Sequence, residues 1–190
     1  MKAAPKLSVV AALGLVFGAA MAGEIADSGV FSTGAVNTSA GFLSTARQNV
    51  GVAEQNGKIK NTAVIVNGAV NTSAGFLSTA NQSIARAIQN GQISQTAIVA
   101  QGVNNSAAGF LSTANQEVGF AKDDGKVQSS FVGATGVSNV AGGFLSTARQ
   151  QIGGAQGSGK LTNSTVLATA QVNTAAGFLS TADQSVGVAK

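Results

Sequence analysis

Residues 59–66 read Ile-Lys-Asn-Thr-Ala-Val-Ile-Val, a β-branched run interrupted by polar positions, and equivalent runs return at 93–100, 127–134 and 161–168. A second pattern, Gly41-Phe42-Leu43-Ser44-Thr45-Ala46, returns unchanged at 75–80, 109–114, 143–148 and 177–182, always 34 residues on. A motif locked to one period marks a repeat architecture whose units bury themselves against their neighbours. β-branched residues favour strands, so each unit predicts two extended arms, one at 59–66 and one at 42–53. Between them lies a turn at 54–58, Glu-Gln-Asn-Gly-Lys, and a second bend at 68–75. Asn-Gly tolerates positive φ and favours tight reversals; Asp123-Asp124-Gly125 and Gly157-Ser158-Gly159 take its place in later units. The expected fold is all-β: a five-rung β-solenoid or stacked β-arch, cross-β on assembly.

One pattern points the other way. Phe42, Ala46, Val50 and Ala53 fall at helical spacing, and 34 residues is also the period of tetratricopeptide helix pairs. However, the chain has no Trp or Tyr, and its only proline is Pro5. Gly, Asn, Ser and Thr, which disfavour helix interiors, dominate the repeat. A helical repeat scaffold is therefore the weaker expectation.

The first residues stand outside the repeat. Lys2 and Lys6 precede an apolar run at 7–20, and Ala20-Met21-Ala22 has the small-x-small form of a cleavage site. The run is short for a span of ~20 residues, so residues 1–22 are expected to be a cleaved signal peptide of an exported, bacterial protein. The 190-residue chain less those 22 leaves 168, two short of five 34-residue units. The expected units are 23–56, 57–90, 91–124, 125–158 and 159–190, a single repeat domain with nothing left over for a cap.

Composition then removes function classes. Setting aside Lys2 and Lys6 leaves nine basic residues against seven acidic, scattered along the chain, which argues against nucleic acid as a partner. There is no Cys and no His, so the usual bases, nucleophiles and soft metal ligands are missing. The one close acidic pair, Asp123-Asp124, sits in a turn. No phosphate-binding glycine loop is present. The expectation is a non-enzyme with no cofactor, no metal and no small-molecule substrate.

Superposing the units gives columns of side chains. Asn37, Asn71, Asn105, Asn139 and Asn173 form one, and Gln48, Gln82, Gln116, Gln150 and Gln184 another. Phe42, Phe76, Phe110, Phe144 and Phe178 form a third. Rungs ~4.8 Å apart bring identical residues into contact, and stacked amides and rings stabilise cross-β assemblies. Neighbouring columns have drifted, as in Val52, Arg86, Phe120, Gly154 and Val188. Charged columns alternate with neutral residues, as in Arg47, Asn81, Asn115, Arg149 and Asp183, because like charges at this spacing repel; they are expected on a solvated face.

These features resemble the bacterial functional amyloids, the curlin and Fap-type fibre subunits. The local match is Gly-x-x-Asn-x-Ala/Ser, at Gly34–Asn37–Ser39, Gly68–Asn71–Ser73, Gly102–Asn105–Ala107 and Gly136–Asn139–Ala141. In the fifth unit Ala170 replaces the glycine before Asn173 and Ala175. The curlin unit is shorter and carries two Gln that are other residues here. The linkers and terminal Cys pair of Fap-type subunits are missing. The resemblance implies an extracellular amyloid fibre of biofilm matrix, secreted through an outer-membrane pore and helped by nucleator proteins.

The leading expectation is a structural subunit that assembles with itself. The alternative is a monomeric β-solenoid binding module, an adhesin or an ice-binding protein using a flat Ser44-Thr45 ladder. In a head-to-tail polymer, Asp183 falls beside the next molecule's Arg47, Lys190 beside its Glu54, and Lys160 beside its Glu24. All three junction pairs are opposite in charge, and a head-to-head contact would not generate them.

Overall fold

The structure, a computed structural model, describes residues 24–54 and 56–188. The expected leader at 1–22, and Lys190 of the junction pairs, lie outside the described residues. Every regular element among them is a strand. The second rung shows the plan: Lys58–Lys60, Ala63–Asn67, Val70–Ala74 and Leu77–Ile88. Each pairs in parallel with its equivalent 34 residues on, as in Ile59 with Ile93, Val64 with Ile98, Asn71 with Asn105 and Gln82 with Gln116. The result is four parallel sheets running up a β-solenoid of five turns. Three sheets have five strands; the fourth has a sixth, Ala155–Gln156, that resumes pairing beyond a corner.

The rung has more corners than the two bends expected from the sequence. The arm at 59–66 breaks at Asn61, whose φ is +46°. Asp27, Gln95, Ser129 and Asn163 hold the same left-handed conformation in their rungs. A hydroxyl one residue on braces this corner: Thr62, Thr96, Ser130 and Ser164 donate to the carbonyls of Lys60, Ser94, Gln128 and Thr162 at 2.6–2.9 Å. The bend expected at 68–75 is itself mostly strand, framed by corners at Gly68 and Gly75. The arm at 42–53 turns at a left-handed column made of Gly51, Ala85, Gly119, Gly153 and Gly187. The helical spacing of Phe42, Ala46, Val50 and Ala53 thus dissolves into geometry. Ala46 and Val50 point inward with a period of two, Phe42 sits at a corner, and the turn at Gly51 shifts the phase so that Ala53 also points inward.

The interior has two compartments. One is lined by Ile59, Val64, Val66, Ile84 and Ala87 with their equivalents, between the first two sheets and the far end of the fourth. The other lies between the third and fourth sheets and holds only small apolar groups, Ala80, Ala107, Ala114, Ala141 and Ala148, plus buried Ser and amide side chains. These small residues bring the third and fourth sheets close together. No ring fits between them, so the adjoining Phe column is turned outward at the corner, where Phe76, Phe110 and Phe144 are 44–45% exposed.

That corner depends on glycine. A Cβ on Gly109 would collide with the backbone carbonyl of Gly75 in the rung below, and one on Gly75 with that of Gly41. Gly109→Ala must wedge two rungs apart and should destabilise the fold by on the order of 3 kcal/mol. Ala170, by contrast, is an exposed alanine at φ +53° in a column otherwise made of Gly34, Gly68, Gly102 and Gly136. A non-glycine residue in that conformation costs roughly 1–2 kcal/mol, so Ala170→Gly should gain about 1 kcal/mol after the extra chain entropy of glycine is counted. Urea unfolding followed by circular dichroism measures both; equal midpoints for wild type and Gly109→Ala would refute the close-approach argument.

Candidate functional site

The asparagine and glutamine columns face the narrow compartment from opposite sheets and are buried in the middle rungs, where Asn71, Asn105, Asn139, Gln116 and Gln150 have no exposed surface. Each asparagine Nδ2 donates to the Oδ1 of the next: Asn37 to Asn71, Asn71 to Asn105, Asn105 to Asn139 and Asn139 to Asn173, at 2.7–2.8 Å. The same nitrogens also reach across the compartment. Asn105 Nδ2 donates to Asn115 O at 3.0 Å in its own rung and to Ala80 O at 3.1 Å in the rung before. Because those carbonyls can only accept, they fix which end of each amide is nitrogen.

The glutamines run the other way. Gln82 Nε2 donates to Gln48 Oε1, Gln116 to Gln82, Gln150 to Gln116 and Gln184 to Gln150, at 2.6–2.8 Å. Gln48 Nε2 donates to Ala35 O and Gln150 Nε2 to Val137 O, which fixes their orientation likewise. Two hydrogen-bonded amide chains of opposite polarity therefore run side by side up the stack. Chains of this kind polarise one another, and a missing member is costly where the amides are buried.

The phenylalanines form a continuous external stack. Successive centroids from Phe42 to Phe178 lie 5.0–5.3 Å apart with planes within 10° of parallel. A second apolar stripe, not foreseen from the sequence, runs up the outer face of the second sheet through Phe31, Ile65, Val99, Phe131 and Leu167. The ring of Phe31 lies over Gly29, whereas Phe131 lies over Gly133, two residues on instead of two back. Gly and Phe exchange places between these rungs, so each presents one large apolar group in much the same position.

The charged columns lie outside. Arg47 and Asp183 stand at opposite ends of one column, and Asp183 pairs with Arg149 at 3.8 Å. Glu24 and Lys160 stand at opposite ends of another, and Glu24 pairs with Lys60 at 3.5 Å. Glu54 is exposed beneath the column of Ile88, Lys122 and Gln156. The expected avoidance of stacked like charge fails at Lys126, which is in register with Lys160; long ammonium side chains at the surface splay into water and are screened.

The drifted column at 52, 86, 120, 154 and 188 acquires a physical account. Arg86 pairs with Glu117 of the next rung at 2.9 Å. Phe120 is 2% exposed because its ring occupies the space left by Gly154, where a Cβ would lie 2.9 Å from it. The variation is compensated between rungs. Beside it the fourth sheet is concave, forming a polar groove of about 850 Å³ bordered by Arg47, Arg86, Arg149, Glu117 and Asp183. Of the Ser44-Thr45 ladder, the serines of the first four rungs are buried, Ser44 sharing a hydrogen bond with Ser73 at 2.8 Å, and the threonines lie on the outward face.

Among the described residues the fourth sheet is least covered at the fifth rung, whereas Ser44 and Ala46 of the first rung stay buried. Ser146, Ala148 and Gln150 are buried, but their equivalents Ser180, Ala182 and Gln184 in the fifth rung are exposed. No family model, curated protein or solved structure matches the chain. The amides make different numbers of bonds, which ranks their contributions. Asn105→Ala strips partners from two ladder neighbours and two backbone carbonyls and should cost about 3 kcal/mol, whereas Gln116→Ala, which loses ladder bonds alone, should cost about 2. Lys60→Ala loses one exposed ion pair and should cost under about 1 kcal/mol. Unfolding midpoints test that order, and a Lys60→Ala effect as large as that of Asn105→Ala would contradict it.

Proposed function

We propose that this chain is a secreted structural subunit that assembles head-to-tail into an extracellular, amyloid-like fibre serving adhesion or a biofilm matrix. The observation that carries the proposal is the open end rung, in which columns buried throughout the stack lie exposed to solvent. Unpaired parallel strand edges recruit further strands, and a further rung would bury Ser180, Ala182 and Gln184 as Ser146, Ala148 and Gln150 already are. Identical amide and aromatic columns suit continuation across a molecular boundary, as in cross-β stacks. The partner is the chain itself, and a secretion pore and nucleator proteins would complete the system. The expected signal peptide and the resemblance to curlin and Fap-type subunits support the location. No role in catalysis, nucleic-acid binding or small-molecule turnover is proposed.

A monomeric surface-binding module is the second reading. The outward column of Thr45, Thr79, Thr113, Thr147 and Thr181 favours it, since it offers hydroxyls at regular spacing on one sheet face.

Purified residues 23–190, concentrated at neutral pH, should form fibres whose diffraction shows the ~4.8 Å strand spacing along the axis. A chain that stays monomeric at every concentration reached, while binding a surface such as ice or a polysaccharide, would establish the second reading instead. The turns supply a finer test. Asp123 and Asp124 are exposed and left-handed, at φ +52° and +64°. Asparagine tolerates that conformation equally, so Asp123→Asn with Asp124→Asn removes charge and leaves the turn intact. Charges flanking assembly-prone strands act as gatekeepers, and the double variant should shorten the lag before fibre growth; a lag that is unchanged or longer would count against that role.

A further inference from the structure

The opposed polarity of the two amide ladders makes the end faces chemically different. At the first rung Asn37 Nδ2 is engaged by Asn71 Oδ1 and Arg47 O, which leaves its Oδ1, among the described residues, as the free acceptor of the ladder. Gln48 Oε1 already accepts from Gln82, and its Nε2, which donates one hydrogen to Ala35 O, keeps the second for the ladder. At the fifth rung the situation is inverted. Asn173 Oδ1 accepts from Asn139, and its Nδ2 donates to Ala148 O and Asp183 O; Asn139 Nδ2 makes the two equivalent carbonyl bonds and a third to the next asparagine, which Asn173 lacks among the described residues. Gln184 Nε2 donates to Gln150, and its Oε1 has no next glutamine.

We infer that each end face is a docking site for a second copy of this chain in the same orientation, selected by these ladder ends. The inference rests on the fibre reading above and adds what chooses the orientation. Set a first rung on a fifth rung with the columns aligned. Asn173 Nδ2 then meets Asn37 Oδ1, and Gln48 Nε2 meets Gln184 Oε1, so both ladders continue without a break. The Phe stack continues from Phe178 to Phe42, and two end charges find opposites, Asp183 with Arg47 and Lys160 with Glu24. Two first rungs brought together on aligned columns set the Oδ1 of one Asn37 against the same acceptor of the other. A reversed contact that paired Asn37 with Gln48 instead would lay the five-residue strand Val36–Ala40 across the eight-residue strand Leu43–Val50. It would also take the Phe and Leu columns out of line. Backbone edges pair in either direction; the buried amides accept only one.

The absence of cysteine permits a direct test. Thr38 and Thr174 are exposed and stand at opposite ends of one outward column. In the inferred junction they lie one rung apart, within the Cα separation a disulfide spans. Thr38→Cys and Thr174→Cys chains are mixed in equal amounts, assembled under reducing conditions and then oxidised. Dimers linking position 38 to position 174 are expected almost exclusively, identified by peptide mass. A preponderance of 38–38 and 174–174 dimers would overturn the orientation while leaving fibre formation intact. If neither chain nor the wild type assembles, the fibre reading falls, and this one with it. The role of the ladders is tested by adding Asn37→Ala and Gln48→Ala to the Thr38→Cys chain. The yield of 38–174 dimers should fall about tenfold or more, with the far-ultraviolet spectrum of the soluble chain unchanged. An undiminished yield would show that something other than the amides selects the orientation. The unmodified ladder pair reports orientation even if that variant folds poorly.

Discussion

The structure depends on one constraint: every side chain stacks on the residue 34 positions away. In-register parallel pairing brings each position to within about one strand spacing of its equivalents above and below. A residue type is therefore acceptable only if it can touch itself or its neighbours' substitutes. Amides satisfy this, because each donates on one side and accepts on the other. Rings satisfy it by stacking. Alanine and glycine satisfy it by leaving room, and at Gly75 and Gly109 the backbone of the adjacent rung takes all of that room. Formal charges satisfy it only in alternation or at the surface, which is where the structure places Arg47, Arg149 and Asp183.

The same constraint explains how much of the fold was legible in the sequence. The period, the parallel register and the stacking of Asn on Asn and Gln on Gln follow from spacing alone. The corners do not. The column of Asp27, Asn61, Gln95, Ser129 and Asn163 shares one left-handed conformation across four residue types, so no motif announces it. What fixes it is partly the hydroxyl that follows, which closes the corner on a backbone carbonyl. The side of the sheet on which a conserved-looking column lies was also hidden. Phe42 and Ser44 are neighbours in an invariant motif, yet one is outside and the other inside, because the alanine-lined compartment has no space for a ring.

Variation between rungs is informative for the same reason. Where the columns drift, the structure pairs the change in one rung with a change in the next. Phe120 fills the volume that Gly154 vacates, and Arg86 meets Glu117. On the second sheet Gly29 and Phe31 become Phe131 and Gly133, and each ring covers its own rung's glycine. Packing in a stack of this kind is conserved as a sum over neighbouring rungs and not position by position. A column that looks relaxed in a superposition of units can be fully constrained in space.

The ladders have a property that packing alone does not confer, which is direction. Apolar columns are indifferent to which end of the stack is which. The asparagine ladder points one way, fixed by carbonyls across the compartment, and the glutamine ladder points the other. Their dipoles oppose and largely cancel along the axis, which avoids the charge accumulation that a single long polarised chain would build at its ends. Cancellation of the field does not erase the local chemistry. At each end one ladder stops on its donor side and the other on its acceptor side, in opposite places. The repetition that satisfies each interior amide from both sides therefore makes the two end faces chemically distinct, and the amides are what give the stack a direction.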